Sequence, residues 1–402
     1  MAYKALDSQD EFKKFVEEFT KSGDYKKPVG FGIARIDRGQ KNSEKILQAT
    51  YPFINWKENY GSAAVLLASL KESGVKTDLS GSEFVAPLSK EFIKNAMALF
   101  APYVDEAVGE AHKNVQVIKA LDELFASDVI DPAHSFKIAF IFEDEAPKSV
   151  ECVYLKLYAL STAKAELRGV NLNGAFGILE NVAWSGNMPM ELEWLRENEI
   201  SLKVDGMYPN IDSVDKFPRF LQHVIPADNT RILDSSKVRM GAQLHPGTTV
   251  MPGASYINFN AGTTGPVMVE GRISSSAIVG SGSDVGGGAS ILGVLSGTDG
   301  NPISIGKNTL LGANSVTGIP LGDGCIVDAG VAILAGTKVI IDTSEYEKIK
   351  EANPKWDAPD TDVFKGAALA GLNGVHFRQD SISGEIKAFR STREVKLNQE
   401  LH

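Results

Sequence analysis

The stretch that decides the fold is VGSGSDVGGGASILG, residues 279–293. Each glycine inside a helix would cost roughly 1 kcal/mol relative to alanine, so a helix is disfavoured. Val279, Val285 and Ile291 stand six residues apart, and turn residues recur at the same interval. A nucleotide-binding loop is excluded because GxGxxG is not matched and no helical pattern follows.

The same spacing extends from about Lys237 to Val339, a region where charge falls and glycine rises. A sustained six-residue repeat predicts a parallel β-helix, in which each hexad is a short strand plus a corner and three hexads complete a triangular coil. Glycine suits the corners, where the backbone turns sharply. The predicted inward residues are Val238, Leu244, Val250, Val267, Ile273, Val279, Val285, Ile291, Ile305, Leu311, Leu321, Val327, Ile333 and Val339.

Three segments interrupt this repeat: residues 258–266 (NFNAGTTGP), 296–302 (SGTDGNP) and 313–320 (ANSVTGIP). We predict loops that leave the coil at separate levels and form the rim of a cleft, because function often resides on such loops. The alternative is that they are insertions without function.

The segments on either side of the repeat follow other patterns. A mixed α/β domain is predicted at the N-terminus, with a helix started by a Ser8–Glu11 capping box. Further helices are expected within 60–74, 89–107 and 114–128, and strands within 135–144 and 149–160. This domain has no catalytic signature, so we expect a role in packing and oligomerisation. A helix and a hairpin after residue 342 are expected to cap the β-helix. The predicted domains are 1–225, 226–341 and 342–402.

Composition narrows the classes of partner. The chain has 402 residues and a formal net charge of −10, which argues against a nucleic-acid or anionic-membrane partner. No signal peptide or membrane-spanning apolar run is present in the sequence, so a cytoplasmic location is expected. Cys152 and Cys325 are expected to be buried thiols in a reducing compartment, with a disulfide as the alternative.

Few residues of the coil region have side chains suited to catalysis. His245 is the one histidine there, and we expect a corner or groove residue rather than a general base. One imidazole also disfavours a zinc site built from three. Glu270, beside Gly271 and two residues before Arg272, is a candidate base or nucleophile. The alternative for Glu270 is an ion pair with Arg272 that fixes a corner.

The motifs NFNAG, MVEGRIS, GSDVGGGAS, LLGAN and AGTKV follow one another between residues 258 and 339. With FRQDSISG at 377–384 and LNQELH at 397–402, they resemble the larger branch of the tetrahydrodipicolinate N-succinyltransferase family. The resemblance includes the irregular segments, which an unrelated hexapeptide-repeat protein would not share.

This resemblance implies a left-handed coil, a homotrimer and no tightly bound cofactor. It implies succinyl transfer from succinyl-CoA to tetrahydrodipicolinate, giving N-succinyl-2-amino-6-oxopimelate and CoA for lysine and meso-diaminopimelate synthesis. Glu270 takes the place of the catalytic glutamate, as acyl-anhydride nucleophile or as general base. The substrate and CoA positions that it implies are Arg272, Gly287, Ser290, Ala313, Asp328, Ala329, Gly336, Lys348 (with Lys350 as alternative), Arg378, Gln379, Asp380 and Ser381.

Relatives of this branch carry acidic residues associated with a divalent cation, such as Mg²⁺, between subunits. Here Asp234 survives but its neighbour is Ser236, and the second acidic segment is MPGASY, with no acid and one extra residue. These departures argue against the cation, and we assign no metal ligand. Two alternatives to the implied activity stay open: another acyl donor (acetyl-CoA) or amine acceptor, and a non-catalytic trimeric scaffold.

Overall fold

The structure is a computed structural model that describes residues 2–127, 129–294, 298, 300–357, 359, 361–393, 395 and 397. The chain forms two compact units, one of residues 1–159 and 170–217 and one of residues 160–169 and 218–402. The division into 1–225, 226–341 and 342–402 stays a prediction. Three residues of the predicted loop 296–302 and the LNQELH residues after Leu397 lie outside the described residues.

The strands of the first unit are β1 (Gly30–Arg38), β2 (Ile46–Thr50), β3 (Ile54–Trp56), β4 (Glu83–Pro87), β5 (Phe136–Ile141), β6 (Val182–Ser185), β7 (Met188–Glu191) and β8 (Ser213–Asp215). They form an antiparallel sheet of order β2-β1-β5-β4, with β3 also paired to β1, and a smaller sheet of order β7-β6-β8. The helices of this unit are α1 (Gln9–Thr20), α2 (Tyr60–Glu72), α3 (Lys90–Phe100), α4 (Lys113–Phe125), α5 (Pro132–Ser135), α6 (Val150–Ser161, which ends in the second unit), α7 (Ala175–Ile178) and α8 (Leu192–Val204).

The local signals of this unit predict four of the eight helices found among its described residues. The Ser8 hydroxyl caps α1 by accepting from the Glu11 backbone N–H at 3.2 Å, while the Glu11 carboxylate accepts from the N–H of Asp7 rather than Ser8. Helices α2, α3 and α4 and strand β5 lie where the sequence predicts them. The strand predicted at 149–160 is wrong, because this segment is α6. It is buried on all sides, and such a helix has no polar face to give it a helical period.

Lys156 on α6 is 1% exposed, and its ammonium donates to the Asp144 carboxylate at 2.7 Å and to the Asn171 carbonyl at 2.8 Å. We expect Lys156→Met to lower the free energy of unfolding by about 2 kcal/mol, because the Asp144 carboxylate and the carbonyl groups of Glu145 and Asn171 lose a charged donor. Chemical denaturation measures the change. The exposed Lys203→Met on α8, which loses its Glu199 ion pair and its cation–π contact with Tyr208, is the control and is expected to stay within about 0.5 kcal/mol. Equal stability of the two variants would contradict a structural role for Lys156.

The second unit is the predicted parallel β-helix, with strands of successive coils paired in parallel on three faces. Face 1 contains β9 (Arg231–Ile232), β10 (Thr249–Val250), β13 (Val267–Val269), β16 (Ser283–Val285), β19 (Leu310–Leu311), β21 (Ile326–Val327) and β25 (Val375–Gln379). Face 2 contains β11 (Tyr256–Ile257), β14 (Arg272–Ile273), β17 (Ser290–Ile291), β20 (Val316–Thr317) and β22 (Ala332–Ile333). Face 3 contains β12 (Gly262–Thr263), β15 (Ile278–Val279) and β18 (Ser304–Ile305).

The core of the β-helix confirms the six-residue repeat. Every predicted inward residue is buried except Leu244, which is partly buried and packs against the same core. Stacked aliphatic side chains therefore fill most of the prism.

Two of the three predicted interruptions are wrong. Residues 258–266 contain β12, and Ile257, Thr263 and Val269 keep the six-residue step. Residues 313–320 contain β20, with Thr317 six residues after Leu311. Both threonines point inward and are buried with satisfied hydroxyls: Thr263 lies 2.6 Å from the Thr248 hydroxyl, and Thr317 donates to the Ile319 carbonyl at 2.9 Å. A search of the sequence for aliphatic residues at six-residue spacing does not detect inward positions occupied by threonine.

The C-terminal segment caps the β-helix, as predicted. It contains β23 (Lys338–Ile340), α9 (Thr343–Ala352), β24 (Val363–Lys365) and β26 (Ile386–Arg390). Strand β25 pairs in parallel with β21 and in antiparallel with β26, which closes the predicted hairpin at Ser383–Gly384. Phe364 and Phe377 join the core of the coil, so the cap and the coil share one hydrophobic cluster.

Both cysteines are free and buried, which confirms the prediction of two buried thiols. Burial raises the pKa of the Cys325 thiol to about 11, so this thiol is protonated at neutral pH. In the described part of the chain, no helix combines the length and apolar character needed to span a bilayer.

Candidate active site

One edge of the β-helix collects most of the predicted site residues. The pairing of face 1 stacks Val269, Val285, Leu311, Val327 and Phe377 on one another. The residue after each of these therefore occupies the same corner of successive coils. We call this corner the Glu270 edge; it consists of the pairs Glu270–Gly271, Gly286–Gly287, Gly312–Ala313, Asp328–Ala329 and Arg378–Gln379.

Glu270 lies at a shortened corner of the coil. Val269 and Ile273 are both inward, only four residues apart, whereas the ordinary step is six. The Glu270 N–H donates to the Val285 carbonyl at 2.8 Å, and the Glu270 carbonyl accepts from the Gly288 N–H at 3.2 Å. Its backbone is thus held by the next coil. Its half-buried side chain extends toward the same coil, where Oε2 lies 3.6 Å from the place that a Cβ on Gly287 would occupy.

Arg272 starts face 2 directly beside this corner. It is paired in register with Ser290, and its guanidinium donates to the Ser290 hydroxyl at 3.1 Å from Nε and 2.6 Å from Nη2. Within the described residues, no ion pair joins Arg272 to Glu270. The two side chains therefore offer a carboxylate and an exposed cation separately at one end of the edge.

Between its two ends the Glu270 edge is a trough without large side chains. A Cβ on Gly286 would lie 2.6 Å from the Leu311 carbonyl oxygen, and one on Gly312 would lie 2.5 Å from the Ala329 nitrogen. Close stacking of the coils thus requires glycine at both positions. Gly287, Ala313 and Ala329 line the outer side. With strands about 4.8 Å apart, Asp328 is about 14 Å and Arg378 about 19 Å along the edge from Glu270.

The far end of the trough is charged. The Asp328 carboxylate accepts from Arg378 Nε at 2.6 Å and lies 2.7 Å from His376 Nε2. Burial raises the pKa of Asp328, but the Arg378 and His376 hydrogen bonds outweigh it and leave that pKa below its usual value. Asp328 is therefore ionised at neutral pH. His376 was not a candidate from the sequence, although its position two residues before Arg378 on one strand is a signal for a shared face.

Comparison with known proteins places this chain in a family. Models of the N-terminal and middle regions of tetrahydrodipicolinate N-succinyltransferase match residues 10–177 and 179–219, and the hexapeptide repeat of succinyl-transferase matches residues 302–335. A Nitratiruptor protein named 2,3,4,5-tetrahydropyridine-2,6-dicarboxylate N-succinyltransferase is 69% identical over 99% of this chain and 100% of its own length. The chain belongs to the tetrahydrodipicolinate N-succinyltransferase family.

More distant members of the family cover the same length. A Vibrio cholerae protein with the same name is 38% identical over 92% of this chain and 98% of its own. A solved Campylobacter jejuni chain, described as a 2,3,4,5-tetrahydropyridine-2-carboxylate N-succinyltransferase, is 55% identical and superposes with a TM-score of 0.90. It covers 97% of this chain and 100% of its own, so the fold is shared over both units.

Four of the residues implied by the family resemblance lie away from the Glu270 edge. Gly336 lies in a corner after face 2, and Lys348 on α9 is exposed and pairs with Glu345 at 2.5 Å. Asp380 and Ser381 lie in the turn of the β25–β26 hairpin. The Lys387 ammonium and the N–H groups of Ser383 and Ile382 donate to Asp380 and hold the pKa of its carboxyl below its usual range. Asp380 thus stabilises the turn that carries Ser381.

The region associated with a cation in relatives does not fit one here. Asp234 Oδ1 accepts from the Ser236 N–H at 2.9 Å and from the Ser236 hydroxyl at 2.7 Å. Lys237 lies 3.8 Å from the other oxygen and donates to the Gly253 carbonyl. These donors hold the pKa of Asp234 below its usual value. The carboxylate is already supplied with hydrogen bonds and positive charge, so we derive no step through a metal.

Proposed function

We propose that the chain transfers a succinyl group from succinyl-CoA to the amino group of ring-opened tetrahydrodipicolinate. The products are N-succinyl-2-amino-6-oxopimelate and CoA, on the route to lysine and meso-diaminopimelate. The names of the relatives support the reaction. The observation that carries the proposal for this chain is the layout of the Glu270 edge: Glu270 with Arg272 beside it at one end, a trough of backbone and methyl groups, and Arg378 with its partner Asp328 at the other end.

The chemical groups of an acyl-CoA follow one another in an order that matches this layout. Its thioester lies at one end, a long uncharged arm follows, and its phosphates lie at the other end. Small residues let that arm approach backbone N–H and C=O groups along the trough, and Arg378 supplies the charge-assisted contacts that phosphates require. Arg272 offers the same kind of contact to a carboxylate at the acyl end. The acidic chain as a whole would not attract such substrates, so these local cations carry recognition.

The reaction forms a C–N bond and breaks a C–S bond. In one route the acceptor amine attacks the thioester carbonyl carbon, Glu270 takes the proton from the amine, and CoA leaves as its thiolate. In the other route the Glu270 carboxylate attacks first and CoA leaves as its thiolate; the amine then attacks the resulting acyl anhydride, releases Glu270 as the carboxylate and gives up its proton to the thiolate. In both, backbone N–H groups at the corners are suited to stabilise the tetrahedral oxyanion.

The test is thiol release from succinyl-CoA by the full-length protein, with and without tetrahydrodipicolinate. We expect release that depends on the acceptor, and slower turnover of acetyl-CoA. Faster turnover of acetyl-CoA would favour a different donor. A folded protein that releases no thiol from either donor would contradict the proposal and favour the scaffold alternative.

A charge placed in the trough tests the path of the donor arm. Ala329 is exposed and lies between Ala313 and Gln379 on the Glu270 edge. We expect Ala329→Glu to raise the KM for succinyl-CoA about tenfold, because a carboxylate there repels the donor phosphates and fills the trough. Thr264→Glu, at the exposed corner after face 3, is the control and should leave the KM unchanged. Equal KM values for both variants would place the donor elsewhere.

We also propose a cytoplasmic homotrimer without a tightly bound cofactor, whose partners are its two substrates rather than nucleic acid or membrane. Residues 226–341 would form the β-helix acyltransferase domain, with 1–225 as an α/β domain and 342–402 as a cap segment that adds Arg378 to the site. Light scattering on purified full-length protein tests the trimer, and a monomer with full activity would contradict it.

A further inference from the structure

The Asp328 carboxylate is shared by two side chains of one strand. Its Oδ2 accepts from Arg378 Nε at 2.6 Å, and its Oδ1 lies 2.7 Å from His376 Nε2. Both donors lie on β25, while Asp328 follows β21. Each oxygen of the carboxylate thus has its own partner, and the carboxylate plane is fixed by two contacts from the same neighbouring strand.

Strand geometry explains this convergence. Val375 and Phe377 point into the core of the β-helix, so His376 and Arg378 share the opposite face of β25. Phe389, the cross-strand partner of His376 on β26, packs against both: its ring centroid is 4.4 Å from that of the imidazole and 5.2 Å from Arg378 Cζ. His376 is only 9% exposed, whereas Arg378 is exposed. The histidine therefore lies behind the arginine, away from solvent.

Arg378 keeps most of its binding capacity. Asp328 engages only Nε, and within the described residues no protein group hydrogen bonds to Nη1 or Nη2. These two nitrogens form the fork that binds two phosphate oxygens at once. The direction of that fork depends on Asp328 and on the Phe389 ring, and the direction of Asp328 depends on His376.

We propose that His376 is a positioning residue for the acyl donor: through Asp328 it orients Arg378 toward the phosphates of acyl-CoA. The inference rests on the proposed function and assigns the phosphate end of the donor to this end of the Glu270 edge. His376 does not touch the substrate in this arrangement. Without the His376 imidazole the Asp328 carboxylate is free to rotate. The Arg378 side chain then loses its fixed orientation and must be ordered each time a donor binds.

The experiment compares two donors that differ only in the nucleotide end. Succinyl-CoA carries the phosphates, and the succinyl thioester of pantetheine has the same reacting group without them. For His376→Phe we expect the KM for succinyl-CoA to rise about tenfold, because one charge-assisted contact to the phosphates is no longer oriented. The kcat should change less than about twofold. The KM for succinyl-pantetheine should not change. His376→Gln, whose amide nitrogen can still donate to Asp328, should restore most of the affinity for succinyl-CoA.

A double-mutant cycle separates positioning from packing. Once Arg378→Ala has raised the KM for succinyl-CoA, we expect His376→Phe to add nothing, because both act through one contact. Additive effects, an equal rise in KM for both thioesters, or an unchanged KM in His376→Phe would each overturn the inference. If His376→Phe fails to fold, the isosteric Asp328→Asn takes its place in the same cycle. Wild-type protein that turns over neither thioester would instead refute the proposed function itself.

Discussion

Glu270→Gln is expected to lower kcat for succinyl transfer by about 10²- to 10⁴-fold, the usual contribution of a positioned carboxylate that accepts a proton or attacks a carbonyl. Glutamine keeps the size and shape of the side chain but neither takes up a proton nor acts as a nucleophile. The backbone bonds of Glu270 to Val285 and Gly288 do not involve the side chain, so the fold should be unaffected. Steady-state kinetics and thermal unfolding of the same preparation measure both.

The control for this variant is Asp323→Asn. Asp323 is an exposed carboxylate of the same β-helix but lies outside the Glu270 edge, and its Oδ1 accepts from the Lys307 N–H at 2.7 Å. We expect its kcat to equal that of the wild type. Full activity of Glu270→Gln, or equal losses in both variants, would remove Glu270 from the chemistry.

The wild-type protein can also distinguish the two roles of Glu270. If the carboxylate attacks the thioester, succinyl-CoA alone should release one equivalent of thiol and leave a succinyl group that hydroxylamine traps as a hydroxamate. If the carboxylate is a general base, no thiol is released until the acceptor is added. Glu270→Gln should abolish the first result and serves as its blank.

The β-helix could be predicted from the sequence because its rule is short-range. An inward residue every six positions is visible in one chain, and burial bears it out at all but one of the predicted positions. The prediction was wrong where threonine replaces an aliphatic residue, at Thr263 and Thr317. Their hydroxyls find partners inside the prism, and only the folded coil shows which partners these are. The segment of helix α6 was wrongly predicted as a strand for a related reason: burial on every side removes the hydrophobic periodicity that marks a helix.

Most of the candidate site was predicted through the family resemblance, and only Glu270, with Arg272 beside it, was a candidate from the residues themselves. Glu270, Ala313, Asp328 and Arg378 are far apart in sequence and share an edge because the strands before them stack. His376 escaped detection because its partner, Asp328, lies 48 residues earlier in the chain. The sequence left open whether Arg272 forms an ion pair with Glu270. In the structure the Arg272 guanidinium donates to the Ser290 hydroxyl instead.

The second large effect is expected at Gly271, the residue that makes the shortened corner possible. A Cβ there would lie 2.3 Å from the Ala289 carbonyl oxygen and 2.9 Å from the Gly286 carbonyl oxygen, both rigid backbone atoms. We expect Gly271→Ala to lower the free energy of unfolding by about 3 kcal/mol, as overpacking against backbone does. Activity should fall at least about 10²-fold in protein that still folds, since a shift of about 1 Å in Glu270 is enough for such a loss.

Gly287→Ala is the comparison, because Gly287 is the second residue after the inward Val285, as Gly271 is the second residue after the inward Val269. An added Cβ there meets no backbone and only the Glu270 Oε2 atom, at the ordinary contact distance of 3.6 Å. Stability should therefore stay within about 0.5 kcal/mol of the wild type, while kcat falls about tenfold because the methyl group occupies space beside the reacting carboxylate. Denaturant unfolding and thiol-release assays on the two variants separate the effects. If Gly271→Ala were as stable as Gly287→Ala, the corner would not depend on close coil stacking. If Gly287→Ala kept full activity, the trough beside Glu270 would not be where the thioester reacts.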